Sequence, residues 1–507
     1  MMSNSAATKR SLGYFALLFG ALLLAYSPLV LRKFVFNDDN LMWVAPRGSP
    51  ATEHPQFGYF FVIGRPLFSI LAWPVWSWVD SVSDLSVVRF VMLFFLAACG
   101  VWLHLWFKRV GTSTVLAWLL PPILLLLPAI QTQMILANSF PHPVALLLAI
   151  AGAFGALDWV QTGERKYLDR ALMALFLGLC IYPPTVFAYA ALAYAHLWGR
   201  KNPAATAKLL VPLLLTTALY YVFSKLSYQY FGPVFPVADA IMGPHAVTTT
   251  ISVADKLALF GRLLLQTANL WGISFQWSAA LVTLLVIAGG YAFAAWWDRA
   301  ASAAFVKWAG LSGILLVVSV LPQMAAQMNH YSFRSLTGMS WMMLLAAIWS
   351  VEQCCAPASR EWGRKGLAGL LAVMLILCGY QCFHNIDRHI VRPAQQEASL
   401  MASRLKTLQA IPRTAMVVAR PLTPNYLWTP EKPFNLLLLD DYGHLASVGP
   451  MNIQGLVKCM VQEHGIPLSL NNVQILAIGE RAPAQHPFGP VLVVDMNEVV
   501  RDLLPPR

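Results

Sequence analysis

Charge is scarce in this sequence: 11% of its 507 residues are Asp, Glu, Lys or Arg, against 58% hydrophobic residues. A soluble domain carries about 25% charged residues, so a soluble globule is excluded. Several apolar runs approach or exceed the roughly 18–20 residues that cross a bilayer. The seven cysteines show no metal-ligand spacing. Cys99, Cys180, Cys378 and Cys382 fall in apolar runs, Cys354-Cys355 in a loop, and Cys459 stands alone. Neither a disulfide framework nor a zinc site is expected from them. There is no glycine-rich phosphate loop and no nucleophile elbow. A small-residue cleavage pattern is also missing after the apolar run 12–31, so that run is expected to stay as a first span. No predicted inner loop is long enough to hold a soluble catalytic domain, which argues against an enzyme working on a nucleotide sugar in the cytoplasm. Internal repeats, which a transporter would favour, are absent too.

What remains is an α-helical polytopic membrane protein with 18 Trp and a mean hydropathy of +0.59. Threaded outward from a cytoplasmic N-terminus, the chain gives about eleven transmembrane helices. Spans are expected at 12–31, 87–107, 114–130 and 143–160, then at 208–227, 278–297, 304–321, 336–351 and 366–383. Between them, 170–198 is too long for one span and too short for two, and Tyr182-Pro183-Pro184 divides it into two short helices. Broken backbone at membrane depth is tolerated where it lines a cavity or is buried in protein. Two further stretches, 55–80 with Trp73, Trp76 and Trp78, and 255–275, read as lying along the outer surface. Lys108-Arg109, Arg165-Lys166, Arg200-Lys201, Arg299 and Arg364-Lys365 make the inner loops basic. That pattern accounts for much of the net charge of +12 without nucleic acid. Arg32-Lys33 run against it on the outer side, where they would draw an anionic lipid or substrate. The composition changes after 385. A helix at 394–411 and strands at 415–419, 435–439, 473–478 and 491–494 predict a small extracytoplasmic α/β domain over 386–507, beside a membrane domain over 1–385.

Two short stretches carry chemistry. Asn37-Asp38-Asp39-Asn40 places adjacent carboxylates at the outer end of the first span, where an ionisable group is costly unless it functions. A carboxylate within hydrogen-bond reach of an acceptor hydroxyl can take its proton as a bond forms. A neighbouring carboxylate can orient the first, raise its pKa, or help to hold a divalent cation. Asp38 is favoured as the base and Asp39 as its orienter, against the plainer reading of both as caps of an interfacial helix. Some 25 residues on comes Gly64-Arg65-Pro66-Leu67. There glycine permits close backbone approach, proline stiffens the chain, and a guanidinium suits a phosphate. The plain alternative for Arg65 is an ion pair with Asp38 or Asp39. Arg334, beside His330 and Tyr331 on another outer tip, is a second phosphate candidate; His330, Tyr331, Tyr182 and His142 are possible substrate contacts.

A first outer loop with tandem acidic residues on a chain of about eleven spans resembles the GT-C class of integral-membrane glycosyltransferases. The acidic pair followed by Gly-Arg-Pro-Leu resembles, more narrowly, the bacterial O-antigen glucosyltransferases; the likeness covers 1–385 and leaves the tail unexplained. The resemblance implies a multi-pass protein of the bacterial inner membrane. Its donor would be a polyprenyl-phosphate sugar, its acceptor an extracytoplasmic glycan or glycoprotein, and its product would have inverted anomeric configuration. It implies Asp38 and Asp39 as catalytic and Arg65 at the donor phosphate; no cofactor is assigned, and the acidic pair leaves room for a divalent cation. A pilin glycosyltransferase or glycan ligase is the alternative within the enzyme class. A flippase for lipid-linked sugars is the alternative outside it.

Overall fold

In the computed structural model, residues 2–43, 55–235, 252–270, 277–297, 302–325, 333–355, 360–406, 416–420, 450–466, 473–475 and 491–495 are described. Helices α1 (Met2–Ala25) and α2 (Ser27–Leu31) lead into a 3-10 turn, Asn37–Trp43. Then follow α3 (Pro55–Val62), α4 (Pro66–Trp78), α5 (Val82–Val110), α6 (Thr114–Leu125), α7 (Pro128–Ile135) and α8 (His142–Thr162). The middle of the chain holds α9 (Arg165–Leu179), α10 (Pro183–Val186), α11 (Tyr189–Arg200) and α12 (Pro203–Phe231). After these come α13 (Val253–Ala268), α14 (Trp277–Trp297), α15 (Ser302–Val318), α16 (Leu321–Ala325), α17 (Thr337–Cys355), α18 (Arg360–Ile386), α19 (Arg392–Lys406) and α20 (Pro450–Glu463).

Among the described residues five helices are long and apolar enough to cross a membrane, and six if the bent pair α6–α7 counts as one span. This is the make-up of a helical membrane protein. The stretches 11–25 and 305–318 are apolar but shorter. The expectation of about eleven spans is larger because it also counted these short and broken segments.

The 49° bend between α6 and α7 has a local cause. Proline at 128 opens α7 and has no N–H to give, so carbonyls at the end of α6 lose their helical donors. Side chains replace them. Trp341 donates to the Leu124 carbonyl at 3.1 Å, Tyr26 to Leu125 at 2.8 Å, and Gln131 to Leu126 at 2.7 Å. Backbone that cannot reach water is thus satisfied inside the protein, as apolar surroundings require. The chain breaks at Tyr182-Pro183-Pro184 as the sequence predicts, with the one-turn α10 between α9 and α11, and α4 docks on that break through Phe68 N–H to the Cys180 carbonyl at 3.2 Å.

α18 runs through a π-helical turn, Asp387–Val391, into α19. The near-continuous stretch Lys365–Lys406 has 42 residues, roughly 60 Å at 1.5 Å per residue. A hydrocarbon core is about 30 Å thick, so this stretch is longer than one crossing needs. Beyond it, strands β1 (Met416–Arg420), β2 (Val473–Ile475) and β3 (Val491–Asp495) form a parallel sheet in the order β2-β1-β3, with Val417 opposite Val473 and Leu492. The strand expected at 435–439 lies outside the described residues. Ile453, Leu456, Val457 and Met460 of α20 belong to the same buried apolar cluster as the helices.

Candidate functional site

The acidic pair splits into two roles. Asp39 is fully buried and so is Arg89 of α5. The Arg89 guanidinium lies 2.5 Å from the Asp39 carboxylate, and the Asn138 N–H donates to its other oxygen at 3.0 Å. Arg89 also donates to the carbonyls of Ile135 (2.9 Å) and Phe34 (3.2 Å) and lies over the Phe34 ring at 3.8 Å. A capping box at the start of α5 sets this geometry. The Ser81 hydroxyl accepts from the Asp84 N–H, and the Asp84 carboxylate accepts from the Ser81 N–H. The box starts the helix two turns ahead of Arg89. Burial works to raise the Asp39 carboxyl, while the Arg89 charge and the Asn138 amide oppose it. Protonating Asp39 would leave Arg89 buried without a counter-charge, so the pair stays ionised. Asp39 is a buried carboxylate with both oxygens engaged by neighbours.

Asp38 remains open. Its side chain is 30% exposed and its partner among the described residues is Arg334, at 3.3 Å and 23% exposed. The short turn bearing Arg334, Phe333–Ser335, is held from below. The Gln133 amide donates to the Arg334 carbonyl at 2.8 Å and reaches the hydroxyls of Thr185 and Thr337. The Gln323 amide donates to the Ser335 carbonyl. Gln133 is therefore a support for the site.

Arg65 approaches from another direction. It caps α4, after Gly64 at a φ of +78° that glycine adopts without strain. Its guanidinium lies 5.2 Å from the centre of the Tyr182 ring and is close enough to act on the Tyr220 hydroxyl. Tyr182 stacks on His142 with ring centres 3.9 Å apart. His142 is buried, with an Nδ1 that has no hydrogen-bond partner among the described residues. Tyr59 of α3 is close enough to feel Arg65, Arg334 and Asp38 together; burial pushes its phenol up against the pull of the two arginines. No carboxylate of the described residues pairs with Arg65, which removes the structural alternative of an ion pair with Asp38 or Asp39.

Asp38, Arg65, Arg334, Tyr182 and His142 thus come together, whereas His330 and Tyr331 lie outside the described residues. Arg32 is corrected. It pairs with Asp387, which also takes Arg392 at 2.8 Å, so it braces α19 instead of standing free for an anionic lipid. Three residues went unremarked in the sequence: Arg89, Tyr59 and Tyr220. Of these only Arg89 carried a signal, as a lone charge near the outer end of an apolar span. Among the described residues no group of three metal-ligating side chains is assembled. A divalent cation between Asp38 and Asp39 would have to displace an arginine. Compared with known protein families and with curated proteins, the chain matches none.

The open part of the site holds one carboxylate and two guanidinium groups. Among the described residues, once Asp38 and Arg334 neutralise each other, Arg65 is the surplus charge. Such an arrangement can accept a hydroxyl proton on one side and bind an anion with planar, paired donors on the other.

Proposed function

We propose that the chain is a membrane glycosyltransferase. It would move a sugar from a polyprenyl-phosphate donor to an extracytoplasmic acceptor, such as O-antigen or another surface polysaccharide, in the manner of the GT-C class. The observation that carries the reading is Asp38, a partly exposed carboxylate, near two guanidinium groups, of which Arg65 pairs with no carboxylate among the described residues. In this reading the acceptor hydroxyl donates its hydrogen bond to Asp38. Its oxygen attacks the anomeric carbon, and the bond from that carbon to the donor phosphate oxygen breaks. The proton passes to Asp38. The bonding pair leaves with the lipid phosphate, whose charge Arg65 and Arg334 meet, and in-line displacement inverts the anomeric centre. Asp39 acts through its hold on the turn.

The finer topology belongs to the same proposal: about eleven spans when short and broken helices are counted, in the bacterial inner membrane. The acidic turn and a C-terminal α/β domain would then be extracytoplasmic. Support for the last point comes from α20, which packs directly on the turn Asn37–Trp43, so the two share one side. A pilin glycosyltransferase or a ligase would use the same groups on a different acceptor.

Asp38→Asn keeps the size of the side chain and removes its basicity. Its transfer rate from a polyprenyl-phosphate sugar should fall by about 10²-fold or more, the range for losing a general base, with the melting point in detergent little changed. Arg65→Lys keeps charge but loses the planar fork, so donor affinity should weaken. Transfer at the wild-type rate by Asp38→Asn at normal expression would refute the proposal.

A further inference from the structure

The C-terminal part of the chain is not accounted for by the reading above, yet it touches the acidic turn. α20 lies against Asn37–Trp43, and Gly455 approaches the turn closely. A Cβ on residue 455 would run into the Asn40 carbonyl oxygen, and would stand 2.6 Å from the carbonyl carbon and 3.0 Å from the Asn40 Cβ. Two of these neighbours are backbone and cannot swing away, so only glycine allows the contact. The other end of α20 is tied to the start of α5. The Glu463 carboxylate accepts from the Val82 N–H at 3.3 Å, and the Gln462 amide donates to the Asp80 carbonyl at 3.1 Å.

The approach to the turn is braced as well. The Gln395 amide of α19 donates to the Lys33 carbonyl at 2.9 Å, and Asp387 joins Arg32 to Arg392. α20 packs on α19, which continues the last long helix of the membrane domain. The acidic turn is therefore held from within by Arg89 and from outside by α20. Its backbone at Asn40 is two residues from Asp38.

We propose that Gly455 is a positioning residue. By seating α20 on the Asn40 backbone it fixes the turn so that Asp38 faces Arg334 and the Arg65 side of the site. The C-terminal unit is thereby part of the reaction centre rather than an appendage. Gly455 touches no reacting atom and acts through the turn. The inference rests on the glycosyl-transfer reading for its effect on rate, but not for the contact itself.

The test uses the full-length protein in detergent or nanodiscs. Cys459, on the same helix, is buried and reports the contact without reference to activity. In Gly455→Ala its maleimide modification, followed by peptide mass spectrometry, should accelerate by at least about tenfold as α20 lifts. At saturating donor, kcat should fall by about 10- to 100-fold, the cost of misplacing a reacting group by an ångström or so, while donor affinity stays within twofold. Gln462→Ala/Glu463→Ala loosens the same helix without a clash and should move both readings the same way by less. An unchanged kcat in both variants, with Cys459 exposed, overturns the positioning role. Cys459 as protected as in the wild type overturns the contact. If the wild-type protein transfers no sugar, the functional reading falls and the Cys459 comparison still decides the contact.

Discussion

Arg89 and Asp39 illustrate how a buried ion pair serves a site it does not enter. Both are removed from water, and each is worth keeping only while the other is charged. Arg89→Met should therefore strand a buried carboxylate and lower stability by about 3–5 kcal/mol. Asp39→Asn should do comparable harm from the other side. The double variant, which strands neither charge, should recover much of the loss. Thermal unfolding in detergent reads all three. Single variants as stable as the wild type would mean that water reaches the pair. Asp38, by contrast, can lose its charge without leaving a buried partner, which separates the two adjacent carboxylates by experiment.

At the scale of elements, the site is assembled where helices break. α3 gives way to α4 at Gly64, α6 to α7 at Pro128, and α9 to α11 at Tyr182-Pro183-Pro184. Each break frees backbone groups and turns a side chain sideways: Arg65 at the first, Gln131 and Gln133 after the second, Tyr182 at the third. Gly64→Ala tests the first of these. Its left-handed backbone costs a side chain about 1–2 kcal/mol. The added Cβ would also stand 2.8 Å from the Ser224 Cβ and 2.9 Å from its backbone. The variant should melt earlier and bind polyprenyl phosphate more weakly, because Arg65 follows directly. Unchanged phosphate affinity in a destabilised Gly64→Ala protein would argue that Arg65 holds no donor.

At the scale of the whole molecule, contact between α20 and the acidic turn puts the C-terminal part and Asp38 on one side of the membrane domain. In the proposed topology, with the basic loops facing the cytoplasm, that side is the exterior. A reporter active only in the cytoplasm, fused after Arg507, should be silent, and one fused in the loop after Arg109 should be active. Activity at the C-terminal fusion would reverse the side of both the tail and Asp38, and with it the use of a flipped lipid donor.

Sequence by itself determined the class, most of the helix positions and the break at Tyr182, because apolar length and proline act locally. It also marked Asp38, Arg65 and Arg334, since a charge in an apolar chain is costly enough to stand out. It could not rank Asp38 against Asp39, because adjacent residues share every local property. What separates them is Arg89, 50 residues away, and the Asn138 amide, 99 residues away. Nor could it tell that Arg32 is paired with Asp387, or that Gly455 rests on Asn40. Pairing and close approach are properties of segments distant in the chain, and only the packing of α5, α19 and α20 around one short turn decided them.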